Sequence, residues 1–348
     1  MWGRWLRRLA IVVVIASLLI LACAVSMVVG ARATSPGEIF PGLIGGLRYA
    51  TGSAELKGAE GDHITILLGT HRIPRTFLAL IAGVALGAAG ALIQGFTRNP
   101  LAEPGILGIA AGAAVAIAGG ISLGAVSTAT DFVVPALIGA VAVTALVFVL
   151  ATAGPTGSSP LAFILSGMAL SALLMAIVNA LVITDDSVLD ALRTWATGSV
   201  AGRDFSVVRA ALPLCIVGGI AACLLGPAMN ILALGEETAH SLGAPVQAYR
   251  ICGVIVIAVL SAAAVVAAGP VSFVGLAAPH MARVITGHDY RALIPLSMLV
   301  GGFFTLTADI LGRVLVAPSE LPMGAVLALC GVPVFVVLVR RGRVGGLI

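Results

Sequence analysis

Long apolar runs cover most of this 348-residue chain, and short stretches rich in charged residues, glycine or proline separate them. A helix needs about 20 mostly apolar residues to cross the hydrocarbon core of a bilayer. Ten windows meet or approach that length, the eighth being the shortest, and they predict ten membrane-spanning helices. The windows are residues 10–30, 76–96, 105–124, 132–152, 161–183, 207–227, 248–268, 272–286, 292–311 and 322–340.

The predicted fold class is all-α, a polytopic membrane helix bundle in one domain that covers residues 1–348. Backbone groups find no water in the hydrocarbon core, so only helices or closed barrels can span it. Barrel strands alternate apolar and polar residues over about 10 positions, and these runs do not. Glycines four residues apart allow close approach of helix backbones. Such pairs are Gly83/Gly87, Gly108/Gly112, Gly120/Gly124 and Gly198/Gly202.

The basic N-terminus and the apolar run after it imitate a secretory signal peptide. Residues 11–30, however, form an uncharged run of about 20 residues, whereas the apolar core of a signal peptide has about 7–15. We interpret the run as an uncleaved first span. An even number of spans places both termini on one side, and we expect that side to be the cytoplasm, with the chain in the inner membrane of a bacterium.

Composition supports a membrane protein and excludes a nucleic-acid-binding one. The chain is 60% hydrophobic and only 10% charged, against about 25% charged residues in soluble domains. Its basic residues are dispersed and form no long basic run. The positive-inside rule normally gives a clear excess of lysine and arginine on the cytoplasmic side. In the predicted topology, only ten of the 19 basic residues lie on that side. We therefore expect that Arg72, Arg75 and Arg313, at the outer ends of spans, have a function there.

The sequence contains no motif for ATP hydrolysis. A Walker A loop requires a lysine that reaches the nucleotide phosphates, and the single lysine, Lys57, lies in AELKGAE, which does not fit. The spans also lack the dense carboxylates and histidines typical of proton-driven pumps, and no cluster has the spacing of metal ligands. We expect no cofactor and no metal site, and we expect a partner to supply the energy.

The segment 230–246, NILALGEETAHSLGAPV, predicts a short non-spanning helix between two spans. Asn230 can cap its start, Glu236 and Glu237 make it polar, and Gly243 with Pro245 can end it. The helix would have about 12 residues. From the residues alone, it can be a docking site for the partner or an ordinary amphipathic connector.

Several long motifs in order resemble the FecCD-type permeases of ABC importers, the family that carries cobalamin and iron–siderophore complexes. LGEETAHSLG resembles the cytoplasmic coupling helix of that family. HRIPRTFLALIAGVALGAAGALIQGFTRNPLAEPGILGIAAGA resembles its signature around spans two and three, and LSGMALSALL its fifth span. WATGSV, VSFVGLAAPHMARVITGHDYRALIP and ADILGRVLVAPSELPMGAVLALCGVPVFVVLVRR extend the likeness over nearly the whole chain.

The resemblance implies a type II ABC importer. Two ten-helix permease subunits, identical or paralogous, would surround one pathway, two ATP-binding cassette subunits would dock on the coupling helices, and an extracytoplasmic substrate-binding protein would deliver a metal chelate. The implied cargo is ferric siderophore, with haem or cobalamin as the alternative. A secondary transporter that works without ATP is a further alternative, but it would require intramembrane ionisable pairs, which are not evident.

The resemblance also implies three sets of site residues. The ATPase-coupling set is Leu234, Gly235, Glu236, Glu237, Ala239, Leu242 and Gly243. The fifth span would line the pathway through Met168, Ser171, Met175 and Asn179, whose apolar or mildly polar side chains suit a wrapped chelate. Arg72, Arg75 and Arg313 would pair with carboxylates of the binding protein.

Two alternatives for the arginines stay open. Arg72 and Arg75 can be interfacial anchors, and Arg313 can pair with Asp309 four residues earlier on the same helix. In the turn RNPLAEPG we expect Arg98, Asn99 and Glu103 to satisfy backbone groups that Pro100 and Pro104 free from the helices.

Overall fold

A computed structural model describes residues 2–30, 36–53, 62–126, 131–153 and 160–340. The described part is built from α-helices, with a π-helical stretch (Leu67–Arg72) and a 3-10 turn (Pro104–Leu107). The α-helices are α1 (Trp2–Val28), α2 (Pro36–Ala50), α3 (Asp62–Ile66), α4 (Ile73–Thr97), α5 (Ile109–Ser122), α6 (Val133–Ala153), α7 (Pro160–Thr184), α8 (Asp186–Trp195), α9 (Phe205–Ala233), α10 (Glu236–Ser241), α11 (Val246–Ala268), α12 (Val274–Thr286), α13 (Tyr290–Leu315) and α14 (Met323–Arg340).

Each of the ten predicted windows contains a helix, which confirms the all-α helix bundle. Within the described residues, seven helical segments are long and apolar enough to cross a membrane. The other three windows hold α5 and α12, of 14 and 13 residues, and α14. Ten is therefore an approximate number of spans.

Helix α4 forms the centre of the bundle, and glycines allow its neighbours to approach it. A Cβ atom on Gly83 would overlap the carbonyl oxygen of Gly301 in α13, and one on Gly87 would overlap that of Ser297. The Thr305 hydroxyl donates to the Ala79 carbonyl across the same contact at 2.7 Å. Small residues at such a seam let two backbones meet, so the packing predicted for the Gly83/Gly87 pair is confirmed.

Two of the predicted glycine pairs do not work in this way. Gly124 and Gly202 have φ of +69° and +70°, and no atom lies within 4 Å of a Cβ placed on either. Both residues lie in turns beyond helix ends, where glycine is used because it adopts positive φ without steric cost. The interpretation of Gly120/Gly124 and Gly198/Gly202 as helix-packing pairs was therefore wrong.

The two ends of the bundle are formed by different sets of helix termini. At the first, which we call the α10 end, α4 and α9 finish and α11 and α13 begin around the short helix α10. The Asn230 amide there donates to Asp289 at 2.8 Å and accepts from the Tyr290 N–H at 2.9 Å, which joins α9 to α13. At the opposite end, α1 and α13 finish and α4 begins.

Candidate functional site

The three predicted docking arginines lie together at the end opposite to α10, in internal contacts. Arg72 donates to the carbonyls of Met27 and Val28. Arg313 donates to the carbonyls of Ser26 and Val29, at 2.9 and 3.0 Å. These oxygens belong to the last turn of α1 and the residue after it, where helix carbonyls have no partner within the helix. Two guanidinium groups therefore complete the end of α1.

Asp309 joins two of these arginines. Arg75 reaches its carboxylate with Nη2 at 2.8 Å and with Nε at 2.9 Å, and Arg313 forms an ion pair with the same group. Arg75 also pairs with Glu320 at 2.6 Å. The alternative in which Arg313 pairs with Asp309 on one helix is confirmed. Glu320 was missed because it follows α13 in a segment that folds back, a geometry with no sequence period.

Arg72 and Arg75, predicted at the outer end of a span as docking residues or interfacial anchors, do not face water. Arg72 is only 5% exposed, and the side chain of Arg75 is 12% exposed. Arg313 is equally buried, at 3%. A buried guanidinium loses its hydration, and the acceptors offered by Asp309 and the end of α1 compensate for that loss. In this conformation the three residues do not form an exposed cationic rim.

The predicted pathway residues lie on α7. This helix stands at the edge of the bundle, and Met168 is 57% exposed. Met175 and Asn179 are exposed as well, and Ser171 is half-buried, with its hydroxyl donating to the Gly167 carbonyl at 2.6 Å. Spacings of three and four residues place the four positions on one helix face.

Met168 and Ser171 line a cavity of about 480 Å³. Its other walls come from α4, the turn before α5, the start of α5, α11 and the loop from Gly269 to Ser272. Met175 and Asn179 are not among its lining residues. Ser261, which is buried and also lines the cavity, has a hydroxyl without a hydrogen-bond partner among the described residues.

The turn RNPLAEPG has a structural role, and Asn99 serves the turn itself as expected, whereas Glu103 serves a backbone group of a distant segment. The Asn99 side chain accepts from the Leu101 N–H at 2.9 Å, and the Glu103 carboxylate accepts from the Phe273 N–H at 2.7 Å. Phe273 is the residue before α12 and has a left-handed φ of +71°. Glu103 therefore fixes the start of α12, and it brings a carboxylate to the wall of the cavity.

A further cation, Arg203, is half-buried in the loop between α8 and α9. It donates to the carbonyls of Ser199 and Val266, at 3.0 and 2.7 Å. Burial lowers the pKa of Arg203 to about 10, so the group stays charged at neutral pH. Val266 is in the last turn of α11, where a cation is favourable. This contact could not be predicted from residue patterns, because both acceptors of Arg203 are backbone oxygens.

The predicted coupling segment contains a helix shorter than expected. Helix α10 covers Glu236–Ser241, six residues, and Gly235 precedes it with φ of +114°. Asn230 does not cap it, because Asn230 lies inside α9 and is held by Asp289 and Tyr290. The predicted length of about 12 residues and the Asn230 cap were wrong.

The end of α10 agrees with the expected use of Gly243. Gly243 has φ of +74°, its N–H bonds the His240 carbonyl, and the Ala244 N–H bonds the Ala239 carbonyl. These two bonds form a Schellman motif. Ala239 is buried, whereas Leu234, Glu237 and Leu242 are exposed. The segment thus projects two leucines and a carboxylate from the bundle.

Among the described residues, no group of three or more His, Cys, Asp or Glu side chains is placed to hold a metal ion. Neither the cavity beside α7 nor the arginine cluster contains such a group. The chemistry available at these places is hydrogen bonding, ion pairing and apolar contact.

Comparison with known proteins extends over almost the whole chain. The FecCD transport family matches residues 18–341. The ferric enterobactin transport system permease protein FepD of Escherichia coli (strain K12) is 38% identical over 329 residues, 94% of each chain. The cobalamin import system permease protein BtuC of Halobacterium salinarum is 36% identical and covers 92% of this chain and 86% of its own.

The fold has a solved counterpart. A metal-chelate type ABC transporter in an inward-facing conformation matches with a TM-score of 0.81 and 26% sequence identity, over 95% of this chain and 99% of that one. The hemin transport system permease protein HmuU of Yersinia pestis is 39% identical over 78% of this chain and 82% of its own. The family match, the relatives and the fold together show that this chain belongs to the FecCD transport family of ABC transporter permeases.

Proposed function

We propose that this chain is the membrane-spanning subunit of an ABC importer that carries ferric siderophore across the cytoplasmic membrane of a bacterium. The observation that carries the proposal is the match to FecCD permeases over residues 18–341, together with a bundle that superimposes on a metal-chelate transporter. Two ATP-binding cassette subunits would drive transport, because the sequence has no Walker A lysine of its own.

The α10 end supports docking of the ATPase subunits. Leu234, Leu242 and Glu237 project outward while Ala239 anchors the helix in the bundle. Motion of α10 reaches the spans directly, because α9 and α11 flank it and Asn230 ties α9 to the start of α13. This end would face the cytoplasm, and the arginine cluster would then face the binding protein.

The pathway would run along α7. Met168, Ser171, Met175 and Asn179 present an apolar to mildly polar face, and the cavity beside Met168 has about 480 Å³. A thioether fills irregular gaps and adapts to different surfaces. Such a wall lets a wrapped chelate pass without holding it through metal ligands. A second permease subunit, identical or paralogous, would close the pathway from the other side.

When the binding protein docks, one of its carboxylates would replace an intrachain carboxylate as the partner of an arginine in this cluster. Glu320 is the accessible acid of the cluster, with 30% of its side chain exposed against 1% for Asp309. A carboxylate of the binding protein would replace Glu320 at Arg75, while Asp309 keeps the arginines in place. The first contact would therefore be made by Arg75, with Arg72 and Arg313 behind it.

Uptake by a deletion strain tests the cargo. We would measure labelled ferric catecholate, ferric citrate, haem and cobalamin, with and without a plasmid copy of this chain. Ferric-siderophore uptake should return with the plasmid and disappear when the Walker A lysine of the partner ATPase is replaced. Restoration of haem or cobalamin uptake alone would assign the cargo to that alternative, and uptake that persists with the inactive ATPase would refute the ABC mechanism.

A further inference from the structure

A second, smaller cavity lies at the α10 end, away from the α7 face. Its volume is about 190 Å³, and it lies between the end of α4, the end of α9 and the start of α11. Two arginines line it, Arg98 from the turn after α4 and Arg250 from the first turns of α11. Phe96, Leu232 and Val246 form an apolar wall.

The electrostatics of this cavity favour an anion. Its described lining residues include two guanidinium groups and no acidic side chain. Val246 is the first residue of the 23-residue helix α11, whose first turn also carries no acidic residue. The N-terminus of a helix contributes a further partial positive charge. Guanidinium groups bind phosphate and carboxylate oxygens through paired hydrogen bonds.

Arg98 is held in position by the backbone. Its Nη2 donates to the Leu232 carbonyl at 3.2 Å, which fixes the guanidinium at the end of α9. Its φ is +49°, in the left-handed region that non-glycine residues seldom adopt. Arg98 is the C-cap of α4, and helices commonly end on a residue in this conformation.

The position of the cavity relative to the bilayer indicates which anion it receives. Thr97, Ala233 and Val246 are the terminal residues of three helical segments that are long and apolar enough to span a membrane. The cavity therefore lies where these spans leave the hydrocarbon core, at the level of lipid headgroups. Basic pockets between spans at this depth bind the phosphates of anionic lipids. The apolar wall suits the glycerol and acyl ester that follow the phosphate.

We propose that the Arg98–Arg250 cavity binds the phosphate of an anionic phospholipid headgroup. The lipid would bridge α4, α9 and α11 beside the helix that leads to α10. The proposal depends on the membrane location of the chain and not on its cargo.

Native mass spectrometry of the purified full-length chain tests the proposal, with phosphatidylglycerol, phosphatidylcholine and inorganic phosphate as probes. The charge-removing variant combines Arg98→Asn with Arg250→Gln, since asparagine tolerates the left-handed conformation. The charge-keeping variant combines Arg98→Lys with Arg250→Lys. Arg291→Gln is the matched control, because Arg291 is an exposed arginine at the same end of the bundle that does not line the cavity.

We expect the wild-type chain to retain phosphatidylglycerol in preference to phosphatidylcholine. Retention should fall about fivefold for each arginine replaced by a neutral residue, and it should persist in the lysine variant and in Arg291→Gln. A melting temperature within a few degrees of wild type would show that a variant is folded. If the neutral variant does not fold, lipid retention by the lysine variant is compared with that of the wild-type chain instead.

Three results would overturn the proposal. Unchanged retention in the neutral variant, or an equal loss in Arg291→Gln, would remove the lipid from this cavity. Displacement of phosphatidylglycerol by millimolar inorganic phosphate would identify free phosphate as the ligand. If the neutral variant retains the lipid but no longer assembles with the ATPase subunits, the cavity would instead be assigned to a carboxylate of that partner.

Discussion

Arg75 and Asp309 are joined by Nη2–Oδ1 and Nε–Oδ1 contacts of 2.8 and 2.9 Å, across the seam between α4 and α13. Asp309 also holds Arg313, whose guanidinium completes the end of α1. One carboxylate thus connects three helices at this end of the bundle. A substitution there changes the packing of the bundle as well as its surface charge.

Asp309→Asn should destabilise the chain strongly. Asp309 is 1% exposed, and the substitution replaces its negative charge by a neutral amide. Two buried guanidinium groups, those of Arg75 and Arg313, then lie close together without that charge. Breaking a buried pair typically costs about 3–5 kcal/mol. Thermal unfolding of the purified protein measures the effect. Glu320→Gln is the control, because its partly exposed pair should contribute about 0–1 kcal/mol. Equal losses in the two variants would contradict this account of Asp309.

Glu320→Gln should strengthen binding of the substrate-binding protein, because it removes the intrachain competitor for Arg75. Arg75→Gln should weaken the same binding and reduce its dependence on salt. We expect changes of severalfold, since partly exposed ion pairs are worth up to about 1 kcal/mol. Titration of the binding protein at two salt concentrations measures both variants. If Glu320→Gln leaves the affinity unchanged, the exchange of partners at Arg75 is wrong.

Gly87→Ala should destabilise the bundle although it adds a single methyl group. The new Cβ would overlap the carbonyl of Ser297, a backbone atom that cannot move without shifting α13. Overpacking of this kind costs about 1–3 kcal/mol. Gly119→Ala in α5 is the matched control, since no atom lies within 4 Å of its new Cβ. Melting temperatures compare the two, and an equal effect would contradict the tight seam.

The helices were predictable and their polar contacts were not. Apolar length depends on composition alone, so the ten windows could be found without knowing the neighbours. The burial of Arg72 depends on where α1 ends in space, and no periodicity encodes that position. The Asp309–Arg313 pair was predictable because its spacing is local, whereas Glu320 and Ser26 join the same cluster through tertiary contacts. Asn230 was misassigned because its partners, Asp289 and Tyr290, lie about 60 residues away.

Gly243→Val should uncouple ATP hydrolysis from uptake. A left-handed conformation costs a non-glycine residue roughly 1–2 kcal/mol, more for a β-branched one, so the Schellman end of α10 should distort. Gly243→Asn is the control, because asparagine is accepted at such positions. Uptake and ATPase activity of the reconstituted complex should both be measured. Wild-type uptake in Gly243→Val at normal expression would refute the coupling role of α10.

Cysteines introduced on α7 should report the pathway. The native Cys252 and Cys330 are exposed and must be removed first. On that background, Met168→Cys and Ser171→Cys should react with a small polar thiol reagent in the assembled transporter, because both positions line the cavity of about 480 Å³. Leu170→Cys is the matched control, since Leu170 is buried on the other side of the same helix. The rate of reaction at Leu170→Cys should be lower by tenfold or more, the factor that corresponds to about 1.4 kcal/mol of protection.

Reaction at Met168→Cys should also slow when cargo is present, which a merely lipid-exposed position would not show. Equal protection of all three positions in every nucleotide state would remove α7 from the pathway.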